Sequence, residues 1–289
     1  MRAYLPDYSV FTPETLDEAV EALDSDEEIW PLAGGTDLMV YMESGNWDPC
    51  TFVNLYGLKD IQRKPQLNGG LTLGPLSTYS HNRKIDQVKR AYPMLATAAR
   101  VISVLALQSR ATWIGNIVNA SPAADGVPPL MAYDATVELR SATNGTREVP
   151  LSDFYSGYKQ MDREHNELVT AVHLPDPGDD WREYYNKIGT RRFQAITKTL
   201  LAGRIKMDGN TVEDVRMCFA SVAPYTLRAE NTEELLRGEE LTDELIDEAA
   251  EAIQDEIQPI DDIRSNETYR RKVTSNLVRD FLQDNEKTG

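Results

Sequence analysis

Apolar residues recur at helical spacing near the start of the chain. Leu16, Ala19, Val20 and Leu23 make one stripe, with acids on the wet face between them. The pattern predicts a helix over residues 12–23, capped by Thr12 with Pro13 at its first position. Residues 30–33 read as a short strand running into Gly34-Gly35, and residues 36–42 as the helix that follows. Residues 52–55 and 71–74 read as strands, the second after the turn Asn68-Gly69-Gly70. Residues 77–107 are mostly helical in pattern, with Met94, Leu95, Ala98, Ala99, Ile102 and Leu105 on the apolar face. A loop of small and polar residues is expected over 110–129. Residues 136–140 alternate as a strand, Asn144-Gly145 signals a hairpin, and 168–174 is strand-like. The main domain boundary falls at the Pro and Gly cluster of residues 175–180.

The second part opens with a strand over 181–188, followed by a segment of small and β-branched residues over 195–205. Asp208-Gly209-Asn210 is a turn, and 215–222 is a strand. Helices are predicted over 227–236, 242–257 and 266–282, the last with Tyr269, Val273, Leu277, Val278 and Phe281 facing inward. Strands and helices alternate irregularly, so the fold class is α+β in both parts, not a doubly wound sheet.

Charge and composition narrow the picture. The chain has 289 residues, with 47 Asp+Glu against 30 Lys+Arg and a formal net charge of −17. That balance argues against a nucleic-acid partner, which would need clustered basic residues. The acidity is local: residues 230–262 hold 14 acids and one base, and residues 14–28 hold 8 acids and no base. The rest of the chain is close to neutral. No apolar run reaches the roughly 18 residues of a membrane span, and no signal peptide is expected. Cys50 and Cys218 stand far apart without a CxxC, so a Cys-rich zinc site or an iron–sulfur cluster is not expected within this chain. Both read as core thiols of a cytoplasmic protein. His81, His165 and His173 show no metal spacing, and no metal is expected.

Three features could carry chemistry. In Pro31-Leu-Ala-Gly-Gly-Thr-Asp-Leu38 a strand turns through two glycines into a helix. Glycines let backbone N–H groups approach a ligand, and the start of a helix favours an anion. The segment lacks the Lys of a P-loop and the spacing of GxGxxG. Taken alone, an ordinary strand–helix turn accounts for it. Residues 110–125 form a long run of short hydrogen-bonding side chains that can wrap a polar ligand, with Asp125 placed to accept from a hydroxyl. A self-capping loop is the alternative. Lys187, Arg191 and Arg192 form a basic cluster that suits a pyrophosphate or an electron-rich ring, or else a solvated strand end.

Together these segments resemble the FAD-binding (medium) subunit of the molybdenum hydroxylases, of the carbon monoxide, xanthine and nicotinate dehydrogenase type. Ala33-Gly-Gly-Thr-Asp-Leu38 is similar to the family's first pyrophosphate motif. Ala111-Thr-Trp-Ile-Gly-Asn-Ile-Val-Asn-Ala-Ser-Pro-Ala-Ala-Asp125 is similar to its second. Tyr185-Asn-Lys187 through Ile196, Ala220–Pro224 with Arg228, and Asp261–Ser265 with Tyr269–Arg271 resemble later signatures. The resemblance covers nearly the whole chain.

It implies a two-subdomain FAD-binding domain over residues 1–177 (subdomains about 1–57 and 58–177) and a small α+β C-terminal domain over 178–289. Residues 31–38 (Pro31, Leu32, Ala33, Gly34, Gly35, Thr36, Asp37 and Leu38), with Thr112, Ile114, Gly115 and Asn116, are implied at the diphosphate. Asp125 is implied on the ribityl or ribose side, Leu168 and Lys187 near the flavin, and Ser103 at a further close contact. No general acid, base or nucleophile is implied. The implied partners are a large molybdenum-pterin subunit and a small subunit with [2Fe-2S] clusters, in a cytoplasmic heterotrimer with NAD+ or a quinone as electron acceptor. One departure stands out: the family usually reads Thr-Ile-Gly-Gly-Asn, and Ile114 replaces the first of those glycines. A β-branched residue disfavours a positive φ and can crowd the diphosphate. The alternative reading is therefore a structural subunit with weak or lost FAD binding. A self-contained flavin oxidase fits less well, since no cluster of catalytic groups stands out.

Overall fold

The computed structural model describes residues 8–25, 28–44, 48, 50–58, 61, 64–191 and 194–283. The expected contribution of Arg192 lies outside the described residues.

Three short strands, β1 (Ser9–Phe11), β2 (Ile29–Leu32) and β3 (Thr51–Asn54), form a parallel sheet in the order β1-β3-β2. The helix between the first two, α1 (Leu16–Leu23), starts later than its sequence suggests. Thr15 caps it by accepting from the Glu18 amide, and residues 12–14 remain outside. Its stripe of Ala19, Val20 and Leu23 packs with Val53 and Leu55, as the periodicity requires. After β2 the chain turns into α2 (Leu38–Ser44), which buries none of its residues.

The second sheet is antiparallel throughout: β4 (Gln66–Leu67), β5 (Gly70–Leu73), β6 (Thr136–Ser141), β7 (Gly145–Pro150) and β10 (Leu168–Pro175), in the order β4-β5-β10-β6-β7. Between β7 and β10 a small hairpin pairs β8 (Tyr155–Gly157) with β9 (Gln160–Met161). Strand β10 is central and nearly all buried, although Thr170 and His173 interrupt its apolar run.

Residues 77–107 are four short helices, α3 (Tyr79–Asn82), α4 (Asp86–Ala91), α5 (Pro93–Val101) and α6 (Leu105–Gln108). Pro93 can start a helix but not continue one, and Ser103 adopts φ +50°, so the chain breaks at both places. Leu105 lies beyond the second break and is 68% exposed, not on the buried face. The expected loop over 110–129 also contains helices: α7 (Trp113–Val118) and α8 (Val127–Ala132). Thr112 caps α7, and Pro128-Pro129 suit the first turn of α8. All six residues of α8 are buried.

The C-terminal part has β11 (Trp181–Ile188), β12 (Thr199–Asp208), β13 (Thr211–Ala220) and the two-residue β14 (Leu227–Arg228) in an antiparallel meander. Helices α9 (Glu230–Leu236), α10 (Asp243–Glu256) and α11 (Glu267–Leu282) cover it. Leu227 and Arg228 pair with β13 instead of opening α9. Leu277, Val278 and Phe281 face inward as their spacing requires, while Tyr269 is 41% exposed.

The largest core does not stop at residue 177. Leu130, Met131 and Ala132 of α8 pack in one cluster with Leu200, Ala202, Cys218 and Ala220. Beside it, Arg204 lies between the rings of Tyr133 (4.5 Å) and Trp181 (4.4 Å) and pairs with Glu183. Asp134 receives Arg216 and Arg228 from the C-terminal sheet. Both cysteines are buried, and burial raises each thiol's pKa. No helix among the described residues is long and apolar enough to cross a membrane.

Candidate functional site

A cavity of about 1070 Å³ opens where the first sheet meets the second. Its wall is built chiefly from the two glycine-bearing segments. Beyond Leu32, residues 33–37 make the turn into α2. Gly34 sits against the second segment so closely that a Cβ there would lie 2.1 Å from the Arg110 carbonyl oxygen. Gly35 has φ +71°, and its carbonyl accepts from the Met39 amide to close the first helical turn. Among the described residues, the amides of Gly35, Thr36 and Asp37 find no acceptor within the chain. They remain available to a ligand.

The second segment is fixed by its own caps. The Ala111 carbonyl accepts from Tyr79, and the Trp113 amide donates to Ser77. The Thr112 hydroxyl accepts from the Gly115 amide at 3.0 Å, and Asn116 Oδ1 accepts from Gly126 at 3.2 Å. Ile114 does not adopt a positive φ. It lies in the first turn of α7 with its side chain 5% exposed in the main core, so the substituted position carries no backbone strain.

The cavity wall includes Pro31, residues 33–38, Ser103, Thr112, Ile114, Gly115, Asn116 and Leu168, so most of the site residues named from sequence converge there. Leu32, Asp125 and Lys187 lie outside the wall. Asp125 and Lys187 meet each other instead, at 2.5 Å, with the Thr197 hydroxyl on the second carboxylate oxygen. Burial raises the Asp125 pKa, and Lys187 opposes that rise. The expected basic cluster is not a unit: Lys187 faces Asp125, while Arg191 bonds the Gln194 carbonyl of its own loop.

Several wall residues were missing from the sequence reading. The β8–β9 hairpin contributes Tyr158, Lys159, Gln160 and Met161, and α2 contributes Tyr41. Strands of two or three residues leave no alternation to detect. Arg163 also lines the cavity and donates to the Glu167 carbonyl at 2.8 Å. Glu167 is 3% exposed, and the Arg147 guanidinium holds its carboxyl below the ordinary range. Burial raises the Asp37 pKa, and Lys159 opposes it.

The donor set suits a polar, phosphate-bearing ligand. Open amides, the Thr36 side chain and two cations, Lys159 and Arg163, line one cavity. The Tyr79 hydroxyl, on a wall residue that is 1% exposed, is buried without a hydrogen-bond partner. Unpaired buried donors of this kind are uncommon unless something else completes them. Outside the cavity, strand pairing brings ligand atoms of His173, Glu138 and Glu148 within 4.8 Å on a partly exposed sheet face. The sequence spacing gives no sign of that grouping, and Thr72 already engages His173 Nδ1 at 3.0 Å.

Comparison with known proteins agrees with this geometry. Residues 6–177 match the family described as FAD binding domain in molybdopterin dehydrogenase. Residues 184–285 match the CO dehydrogenase flavoprotein C-terminal domain. The chain is 31% identical to the glyceraldehyde dehydrogenase medium chain of Sulfolobus acidocaldarius, covering 95% of this chain and 97% of that one. It is 28% identical to the carbon monoxide dehydrogenase medium chain of Hydrogenophaga pseudoflava, covering 96% of each. In three dimensions it is similar to a carbon monoxide dehydrogenase chain from the same organism, with a TM-score of 0.91, 24% identity and 97% of each chain covered.

Proposed function

This chain belongs to the family of FAD-binding domains of the molybdopterin dehydrogenases, and we propose on that premise that it is the electron-transfer subunit of a molybdenum hydroxylase. Electrons arrive from [2Fe-2S] clusters on a small partner subunit and leave to NAD+ or a quinone. A large partner subunit holds the molybdenum-pterin centre where substrate is oxidised, and the three chains form a cytoplasmic heterotrimer. Residues 1–177 are the FAD-binding domain, with subdomains of about 1–57 and 58–177, and residues 178–289 are the C-terminal domain.

The observation that carries this reading is the cavity between the two glycine segments, with open amides on one wall. The isoalloxazine ring of the bound FAD supplies the redox chemistry; the protein supplies position and electrostatics. Gly35, Thr36 and Asp37 offer amides to the diphosphate, and Thr112 holds the facing turn in register. Ser103 and Leu168 line the remaining length. Asp125 and Lys187 act as a pair behind Asn116 and Gly126.

The test is the visible spectrum of the purified chain, followed by native purification with metal analysis. Stoichiometric flavin, with molybdenum and iron in co-purifying partners, is the expected result. A colourless protein that ignores added FAD would establish the alternative, a structural subunit of the same fold. Flavin without molybdenum or iron in any partner would overturn the proposed assembly.

A further inference from the structure

The β8–β9 hairpin lines the cavity, and its two ends are held very differently. The base is fixed. Tyr155 is 7% exposed and its hydroxyl donates to the Ile117 carbonyl at 3.0 Å. The Asp162 amide donates to the Phe154 carbonyl at 2.8 Å, and Arg147 holds the Asp162 carboxylate at 3.0 Å. The tip is exposed, with Tyr158 at 64%, yet Tyr158, Lys159 and Gln160 all line the cavity.

One side chain ties that tip to the opposite wall. The Lys159 ammonium donates to Asn119 Oδ1 at 2.7 Å, to the Asn119 carbonyl, and to the Tyr41 hydroxyl at 3.3 Å. Its charge also stands 5.9 Å from the centre of the Tyr41 ring. Among the described residues, neither Tyr158 nor Gln160 has a hydrogen bond across the cavity. Asn119 follows α7 and Tyr41 lies in α2, so one ammonium joins both glycine-bearing segments to the hairpin. Lys159 does this from φ +58°, a backbone state that favours glycine over lysine. A charged side chain held in that state, with its donors spread over α2 and the residue after α7, is more than a solvated turn requires.

We propose that Lys159 is a positioning residue of the cofactor site: it fastens the hairpin tip across the cavity mouth and so sets how long FAD stays bound. The inference rests on the FAD reading above and adds to it a residue and a kinetic role. Opening the mouth requires breaking charge-assisted bonds to neutral acceptors at an exposed place, so the barrier is modest.

The experiment is the rate of FAD release from the purified flavoprotein, followed by recovery of flavin fluorescence after dilution. Lys159→Ala is expected to release FAD about tenfold faster, the effect of one exposed charge-assisted tie. Lys159→Arg keeps a cation in reach and is expected near the wild-type rate. Lys159→Gly separates the ammonium from the backbone. It relieves the φ strain, so a role through hairpin stability alone makes it release more slowly than wild type. A role through the ammonium makes it release as fast as Lys159→Ala, with a thermal midpoint no lower than wild type. Release from Lys159→Ala within about twofold of wild type overturns the proposal, and so does slower release from Lys159→Gly. Wild-type protein that binds no FAD is seen first, in its absorbance, and overturns the FAD reading together with this inference.

Discussion

Replacing Gly34 with Ala tests how the cavity is built. The added Cβ would lie 2.1 Å from the Arg110 oxygen, 2.8 Å from its carbonyl carbon and 3.3 Å from the Ala111 Cα. Ordinary contact begins near 3.4 Å, so the two segments must part by roughly 1 Å. All three neighbours are backbone atoms, so no rotamer change absorbs the overlap. Overpacking of this kind costs about 1–3 kcal/mol. A cost of about 2 kcal/mol, borne in the ligand-bound geometry, weakens FAD binding roughly thirtyfold. Gly35→Ala is the control. Its φ of +71° strains any L residue, but the nearest atom to its Cβ is Leu32 Cδ1 at 3.4 Å. It is expected to lose about 1–2 kcal/mol of stability without driving the segments apart. The assay is a flavin-fluorescence titration of each variant alongside its thermal unfolding. Wild-type FAD affinity in Gly34→Ala refutes the reasoning. So does a larger loss of affinity in Gly35→Ala than in Gly34→Ala.

Three other outcomes are expected. Arg204→Ala leaves Glu183 without its cation in a site where burial already raises that carboxyl's pKa; a loss of about 3–5 kcal/mol should appear in chemical denaturation. Glu167 has its pKa lowered, with Arg147 the largest cause, so its stabilisation is present above the ordinary carboxylate pKa and lost as pH falls through the folded value. Glu167→Gln should be less stable near neutrality and lose less stability than wild type between about pH 5 and pH 3; equal acid losses in the two proteins would remove this account. Lys187→Met should be more destabilising than the double variant with Asp125→Asn, because the single change strands a buried carboxylate. Additive losses in that cycle would show that the pair is not coupled.

The parts of the fold that were legible are those where one local rule decides the outcome. Strand β11 is found where its sequence places it, and α10 and α11 keep their apolar faces because heptad-like stripes have no other way to be buried. The two glycine segments were legible for the same reason: close backbone approach needs glycine, and Gly34 meets Arg110 directly. What was not legible depends on partners far along the chain. Residues 110–129 look like a loop because α7 and α8 are each six residues long, the first with a glycine inside it and the second with two prolines. They are helical because the core encloses them. The hairpin carrying Lys159 offers no periodicity, and nothing local marks that lysine as adopting a positive φ. Arg270 is a further case. Its guanidinium joins the Ser221 carbonyl at 2.8 Å to Asp262 at 2.9 Å, which brings together separate sequence signatures, Ala220–Pro224 and Asp261–Ser265 with Tyr269–Arg271. Their shared presence in the sequence gives no hint of that contact.

The C-terminal domain is coupled to the cavity through particular contacts, not merely placed beside it. Asn116, on the cavity wall, accepts from the Gly126 amide. The next residue back is Asp125, whose carboxylate is held by Lys187 of β11 and by Thr197, and whose carbonyl accepts from Tyr185. From Gly126 the chain enters α8, buried on every side against β12 and β13, and ends in Tyr133 and Asp134, both engaged by arginines of the same sheet. The C-terminal sheet is therefore joined to the glycine-bearing wall through the buried Asp125–Lys187 pair and the adjoining Gly126–Asn116 bond. Among the described residues, no acid of the two acidic stretches lines the cavity, and the one that joins this path, Glu233, is buried and paired with Arg228 beside Asp134. Helix α10 carries its acids on its solvent face, opposite Ile246, Ala249, Ala250 and Ile253. The chain's −17 thus leaves the route from sheet to cavity to be governed by paired charges, and an anionic cofactor can sit beside it without facing the bulk of that charge.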